Sequence, residues 1–231
     1  LKVSDINAIV EIAKKHNIKT VADNTFMTAL YQKPLDLGCD IVIESLTKFV
    51  NGHSDVTAGC AVTNNEEIAN EICLLQKNFG GILGVEDAWL ILRGMKTMGL
   101  RMEKSVENAK ILTRFLETQD KIKKVYYPNL TSCKFYDIHT EQASSGGAVF
   151  SFEFFEQDDL KTFLKKIKIP IYAISLGGVE SIISHPATMS HACMSEEERL
   201  AQGVTQTLLR FSCGVEDSED LIEDLKQALN N

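Results

Sequence analysis

The chain has 231 residues, enough for one large domain or two smaller ones. Hydrophobic residues make up 44% and charged residues 24%, so composition excludes a disordered chain. The net charge of −8 comes without a basic cluster, which argues against nucleic acid or an acidic membrane as partner.

No apolar run approaches the ~20 residues of a membrane span, and no leading charged-then-apolar signal segment is present. The cysteines Cys39, Cys60, Cys73, Cys133, Cys193 and Cys213 form no C-x-x-C pair. They are expected to be reduced, mostly buried thiols of a cytoplasmic protein, at spacings unsuited to zinc.

In chain order, Ser4 is the expected N-cap of a first helix. Ile6, Ile9, Val10 and Ala13 share one face of that helix, which ends near His16 and Asn17. Residues 18–25 (IKTVADNT) follow as a short strand that stops at a carboxylate, Asp23. A connection holding Pro34 and Gly38 leads to a second apolar run, residues 39–44, read as a buried strand. It ends in Ser45-Leu46-Thr47-Lys48.

Side chains at strand ends of open α/β sheets face the crevice where ligands bind. Ser45 and Thr47 are compact hydroxyl donors suited to a phosphate, and Lys48 is an amine able to condense with an aldehyde. Alone, a Ser-x-Thr-Lys run is most often ordinary surface loop. Asp23 and Lys48 are expected at the same edge of a parallel sheet, one crossover apart. A carboxylate and a lysine so placed suit pyridoxal phosphate, the acid keeping the pyridine nitrogen protonated and the amine holding the aldehyde carbon. They suit equally a buried salt bridge.

Asn51-Gly52-His53 is a turn, with His53 a structural loop residue. Residues 57–63 form a further strand, and 66–77 a helix. Residues 79–84 are a glycine-rich connection without the strand-to-helix setting of a nucleotide motif. A long helical stretch runs from Glu86 to about Gln119 with bends at Gly94 and Gly99, packing through Leu92, Met95, Val106, Ala109, Leu112 and Leu116.

Within that stretch, near residue 103, a second unit begins. It has strands at 125–128, 148–154 and 208–212 and helices at 158–166 and from a Ser218 cap onward. The alternation in 148–154 predicts one covered and one less covered side. Strands and helices alternate loosely, as in an α/β layer. Arg210 stands inside an apolar strand, where a guanidinium needs a carboxylate partner. His185 and His191 are expected at the surface or in a hinge rather than as a metal pair.

Residues 21–26 (VADNTF), 33–35 (KPL) and 44–56 (ESLTKFVNGHSDV) resemble the trans-sulfuration enzymes, the pyridoxal-phosphate family of cystathionine γ-synthase, cystathionine β- and γ-lyases and methionine γ-lyase. The likeness continues in order through 83–89, 92–97, 175–181, 185–187 and 209–212. It implies an α/β fold of the fold-type I, aspartate-aminotransferase-like kind. Residues 1–102 would be the C-terminal portion of a large, mostly parallel sheet domain that binds the cofactor, and 103–231 a smaller C-terminal α/β domain. The family's amino-terminal part, which supplies a phosphate loop and a tyrosine stacked on the cofactor ring, is absent.

The resemblance further implies that Lys48 is catalytic and that Asp23, Ser45, Thr47 and Lys48 hold pyridoxal 5'-phosphate. Arg210 would clamp the substrate α-carboxylate, Ser175 would border it, and Glu180 would meet the distal amino group. The implied activity is carbon–sulfur cleavage of cystathionine or a related sulfur amino acid by β- or γ-elimination, with Lys48 moving the α-proton. Joining cysteine to an acyl-homoserine, or a catalytically idle fragment, are the alternatives. The implied protein is cytoplasmic, takes a small amino-acid substrate, uses no metal, nucleic acid or membrane, and forms a homotetramer as a dimer of dimers.

Overall fold

A computed structural model describes residues 1–230. The first sheet has three strands, β1 (Val21–Asp23), β2 (Ile41–Ser45) and β3 (Gly59–Val62), in that order. β1 and β2 are parallel with Asp23 opposite Ile43, and β3 returns antiparallel with Gly59 opposite Ser45. Both parallel strands therefore deliver their C-terminal ends to one edge. Around this sheet lie α1 (Ile6–Lys15), α2 (Thr28–Tyr31), α3 (Glu66–Phe79) and α4 (Val85–Met95). α1 buries Val10 and Ala13, and Asp5 rather than Ser4 caps it, accepting the Ala8 N–H.

The expected long helix is two helices, α4 and α5 (Met98–Glu117), parted at Lys96 and Thr97. Gly94 lies inside α4, where it serves approach: a Cβ there would overlap the Asn51 carbonyl oxygen. Leu92 and Met95 are exposed, at 63% and 49%, not packing positions, because α4 turns that face outward. Val106, Ala109, Leu112 and Leu116 of α5 are buried as expected.

α5 leads into the second sheet, built from β4 (Ile122–Tyr126), β5 (Val149–Phe154), β6 (Ile171–Tyr172), β7 (Ile182–Ser184) and β8 (Leu208–Ser212) in the order β4-β5-β8-β7-β6. Only the β6–β7 pairing is parallel. α6 (Tyr136–Gln142), α7 (Gln157–Lys166), α8 (Glu196–Ala201) and α9 (Ser218–Leu229) complete the unit. Asp217, one residue before the expected Ser218, caps α9.

All six residues of β5 are buried, so its alternation does not mark an open face. The polar member Glu153 is satisfied within the fold by Lys123, the Tyr126 hydroxyl and Thr205. The core of this unit is aromatic. Phe150 stacks on Phe211 at 5.0 Å, and Phe163 of α7 meets Phe152 edge-on at 5.9 Å.

A second apolar cluster joins the two sheets: Phe49 with Met102 and Val106 of α5, Ala148 before β5, Val149 at its start, and Leu176. Among the described residues no helix is long and apolar enough to cross a membrane.

Candidate active site

β2 ends at Ser45 and passes directly into a π-helical turn, Leu46–Val50, interrupted at Lys48 (φ −93°, ψ −132°). The neighbouring strand end is tied to it twice. The Asn24 N–H donates to the Ile43 carbonyl at 2.9 Å, and the Ser45 N–H donates to Thr25 Oγ1 at 2.9 Å. Asp23 therefore ends β1 beside the start of the Lys48 turn.

Lys48 and Asp23 do not form an ion pair among the described residues, so the salt-bridge alternative does not hold. Asp23 is exposed and accepts the Thr25 N–H through Oδ1 at 3.0 Å; its other oxygen takes no donor among the described residues. Lys48 is half-buried, and its Nζ donates to Ser175 Oγ at 3.2 Å. Burial, with the Arg210 charge adding to it, holds the amine below its usual pKa.

Arg210 on β8 reaches the same place. Its Nη2 donates to the carbonyls of Ile174 at 2.8 Å and Ser175 at 3.0 Å. No carboxylate partners it among the described residues, contrary to the expectation of an acid beside it; the backbone carbonyls take that place. Ser175 thus links the two cations, hydroxyl to Lys48 and carbonyl to Arg210. Two half-buried cations without a counter-charge make a site that favours anions.

The loop carrying Ser175 is docked on the Lys48 turn by Gly177. Its φ is +80°, and a Cβ there would lie 2.7 Å from the Phe49 backbone nitrogen and 3.1 Å from Lys48 Cα. The Gly177 N–H donates to Ser212 Oγ at 2.9 Å.

The remaining predicted residues divide. Ser45 is half-buried, and its hydroxyl makes no hydrogen bond among the described residues. The Thr47 hydroxyl donates to the Ala58 carbonyl at 3.2 Å and accepts the Ala58 N–H at 2.9 Å, so its proton is already committed. Glu180 is exposed and sits past the far end of the loop, where a Cβ on Gly178 would lie 3.0 Å from its Oε2 and 3.1 Å from Ser54 Oγ. Among the described residues no hydrogen bond or ion pair joins Glu180 to Lys48 or Arg210.

His185 is buried, not at the surface, and bonds Thr188 and the Gln206 carbonyl. His53 lies in the loop as expected, its ring nitrogen against the Asn51 carbonyl. Only Cys213 among the cysteines is buried; Cys73 and Cys193 are exposed. A separate cavity of about 370 Å³ beside α1 and α6 includes Asp23 and His139 but not Lys48, Ser175 or Arg210.

Behind Asp23, Asn24 donates to Glu44 Oε1 at 3.2 Å and Gln32 donates to Asn24 Oδ1 at 3.1 Å. Burial pushes the Glu44 carboxyl up, with the nearby Asp23 charge adding to it against the Asn24 bond. Thr25, Gly177 and Ser212 lie inside the matching stretches, yet residue type assigns them no role, because each acts through one backbone bond or a missing atom.

The sequence profile of the Cys/Met metabolism PLP-dependent enzymes matches residues 1–230. The chain belongs to that family. It is 47% identical over 229 residues to a cystathionine beta-lyase of Bacillus subtilis, covering 99% of this chain and 59% of that protein. An L-methionine gamma-lyase of Fusobacterium nucleatum subsp. polymorphum is 44% identical over 235 residues, again 99% of this chain and 59% of that one.

Among solved structures, cystathionine gamma synthase from Xanthomonas oryzae pv. oryzae in complex with cystathionine superposes with a TM-score of 0.96 at 38% identity. It covers 99% of this chain and 59% of that one. The fold is that of these PLP-dependent enzymes, and the chain spans about three fifths of their length.

The donor set fits such a cofactor. An amine with depressed proton affinity, a hydroxyl with no partner and a carboxylate with an open oxygen converge on one sheet edge.

Proposed function

We propose that this chain carries the lysine-bearing half of a PLP-dependent carbon–sulfur lyase acting on cystathionine or a related sulfur amino acid by β- or γ-elimination. The observation that supports it most is the chain Lys48–Ser175–Arg210, which sets an amine of lowered pKa beside an anion clamp at the edge of a parallel strand pair.

In this reading Lys48 holds the cofactor aldehyde covalently, Ser45 and Thr47 face its phosphate, and Asp23 takes the pyridine nitrogen. Thr47 can donate there only by turning its hydroxyl away from Ala58. When bound, the cofactor supplies an electron sink for charge developing at the substrate α-carbon. Arg210 binds the α-carboxylate through its guanidinium fork, Ser175 borders it and Glu180 meets the distal amine. Displaced from the aldehyde by the substrate's amino group, Lys48 would take the α-proton and deliver a proton to the sulfur as it leaves the β or γ carbon as a thiol; burial and the Arg210 charge lower the amine's pKa in the direction this needs.

The relatives include a cystathionine gamma-synthase of Haemophilus influenzae, 43% identical over 227 residues. The second reading is therefore γ-replacement on an acyl-homoserine with cysteine. We divide the chain at residues 102 and 103 on the course of α5. Its Met102 and Val106 pack with Phe49, while Ala109, Leu112 and Leu116 pack in the aromatic core. A cytoplasmic homotetramer belongs to the same reading, its assembly supported by the exposed Phe79 of α3 and Trp89 and Leu92 of α4.

The test is borohydride reduction of the intact protein with pyridoxal phosphate, followed by peptide mapping. A pyridoxyl group on Lys48, and its loss together with turnover in Lys48→Ala, is the expected result. Wild-type turnover by Lys48→Ala defeats the proposal. Rates with cystathionine against acyl-homoserine plus cysteine separate the two reactions.

A further inference from the structure

We infer that Arg101 is a positioning residue for Lys48: its buried guanidinium grips the carbonyl end of the Lys48 turn and fixes where the amine emerges. The inference rests on Lys48 being the cofactor-bearing amine.

Arg101 lies in the first turn of α5 and is 9% exposed. Its Nη1 donates to the Phe49 carbonyl at 2.8 Å, and its Nη2 to the Val50 carbonyl at 3.1 Å and the Gly94 carbonyl at 2.9 Å. Nε donates to Thr97 Oγ1 at 3.2 Å. No carboxylate lies within ion-pair distance among the described residues. A buried guanidinium without an acid is a costly arrangement.

Here the compensation is dipolar. Three carbonyls at the C-terminal ends of two helical segments, the Lys48 turn and α4, point their negative ends at one cation. The backbone bonds of the turn run from the Asn51 N–H to the Leu46 carbonyl and from the Gly52 N–H to the Lys48 carbonyl. Arg101 supplies donors for the next two carbonyls, those of Phe49 and Val50 immediately following Lys48.

The surroundings are shaped to admit it. Gly52 has φ +75°, and a Cβ there would overlap the guanidinium. Gly94, without a Cβ, lets α4 close on Asn51. The Phe49 ring is packed with Met102, the neighbour of Arg101 in α5, and with Val106, just over a turn further along. The Lys48–Phe49 peptide is therefore held between Gly177 on one side and Arg101 on the other. The planar fork spans carbonyls of two segments, which a lysine's point charge on a flexible stem cannot reproduce. A reacting group misplaced by about 1 Å loses on the order of 100-fold in rate.

The experiment compares wild type, Arg101→Lys, Arg101→Met and Lys48→Ala of the intact protein loaded with pyridoxal phosphate. Three readouts are taken: the rate of borohydride fixation on the Lys48 peptide, kcat and KM for cystathionine, and amide exchange at residues 46–52. The expected result is slower fixation with kcat down about 10-fold in Arg101→Lys and about 100-fold in Arg101→Met. KM should stay near wild type, because Arg210 sits on an undisturbed strand, and faster exchange should be confined to 46–52.

Should Arg101→Met not fold, Arg101→Lys carries the same three readouts. Wild-type fixation and kcat in the Arg101 variants overturn the inference while leaving Lys48 in place. So does a fall in kcat matched by a rise in KM and loss of amide protection throughout, the mark of a merely structural role. No label on Lys48 in the wild type removes the Lys48 assignment and this inference with it, and Lys48→Ala identifies that case.

Discussion

The five-stranded and three-stranded sheets are built to different standards of closure. In the first, β5 is buried along its whole length, five phenylalanines interlock, and α5, α7 and α9 bury leucines and Phe163 against it. In the second, Val21, Ile43 and Val62, one from each strand, remain exposed. The thin sheet nevertheless carries Lys48, Ser45 and Asp23, and the closed one carries Arg210. The difference assigns separate duties. The closed unit supplies most of the packing energy and a fixed anchor. The open one places an amine, a hydroxyl and a carboxylate at a strand edge, held by single backbone bonds and close glycine contacts.

The comparison is broken most directly by paired truncations. Phe152→Ala removes a fully buried ring that touches Phe150, Phe154 and Phe163, and should lower unfolding stability by about 3–5 kcal/mol in urea titration. Ile43→Ala, at a position 39% exposed, should change it by less than about 1 kcal/mol. Equal losses would mean that both sheets share one standard of packing.

Gly177→Ala tests the joint between the units. The new Cβ meets backbone, not a movable side chain, and the left-handed φ adds strain. About 2–3 kcal/mol should be lost, with the Ser175 loop displaced and borohydride fixation on Lys48 slowed. A Gly177→Ala protein with wild-type stability and fixation would show that the loop need not dock on the turn.

Arg210→Lys keeps the charge and removes the fork. KM for cystathionine should rise about tenfold, roughly 1.4 kcal/mol, with stability little changed. An unchanged KM would separate Arg210 from the substrate carboxylate.

How far these features were legible in the sequence follows the same division. β2, β8, α3 and α7 stand out because apolar period and terminal charges agree along their length. β6 with two residues and β7 with three have no period to detect, and α2, α6 and α8 are nearly as short. The caps at Asp5 and Asp217 were displaced by one residue because an adjacent serine offers the same kind of oxygen.

β5 misled in an instructive way. Ser151 and Glu153 imitate a solvent-facing stripe, yet both are buried, and Glu153 is satisfied by groups distant in sequence. The placement of Lys48, Asp23 and Ser45 at one sheet edge was readable because parallel strands end together. The backbone partners of Arg210, the prior commitment of Thr47 and the separation of Glu180 depend on loop conformation, which no spacing encodes. Arg101 reads as an ordinary helix cation until the fold brings the Phe49 and Val50 carbonyls to it.

The smallest effect separates the two regions by pH. His139 on α6 is buried, with Nε2 2.7 Å from the Ser145 carbonyl, so the neutral ring donates there. Burial lowers its pKa below 6.5, and the Ser145 bond opposes this only in part. As pH falls below 6.5 the unfolded chain gains a proton that the folded chain refuses, so unfolding becomes easier through the folded pKa. The stability is complete above 6.5 and declines below it, with a slope of at most about 1.4 kcal/mol per pH unit from one group.

Gln can keep a donor toward Ser145 without titrating. His139→Gln should therefore flatten the acid limb of a urea-midpoint curve between pH 7.5 and about 5, and amide exchange in wild type should quicken first at residues 136–145. Parallel limbs in the two proteins would mean that carboxylates, spread over both units, set the acid response. The closed unit would then have no pH signature of its own.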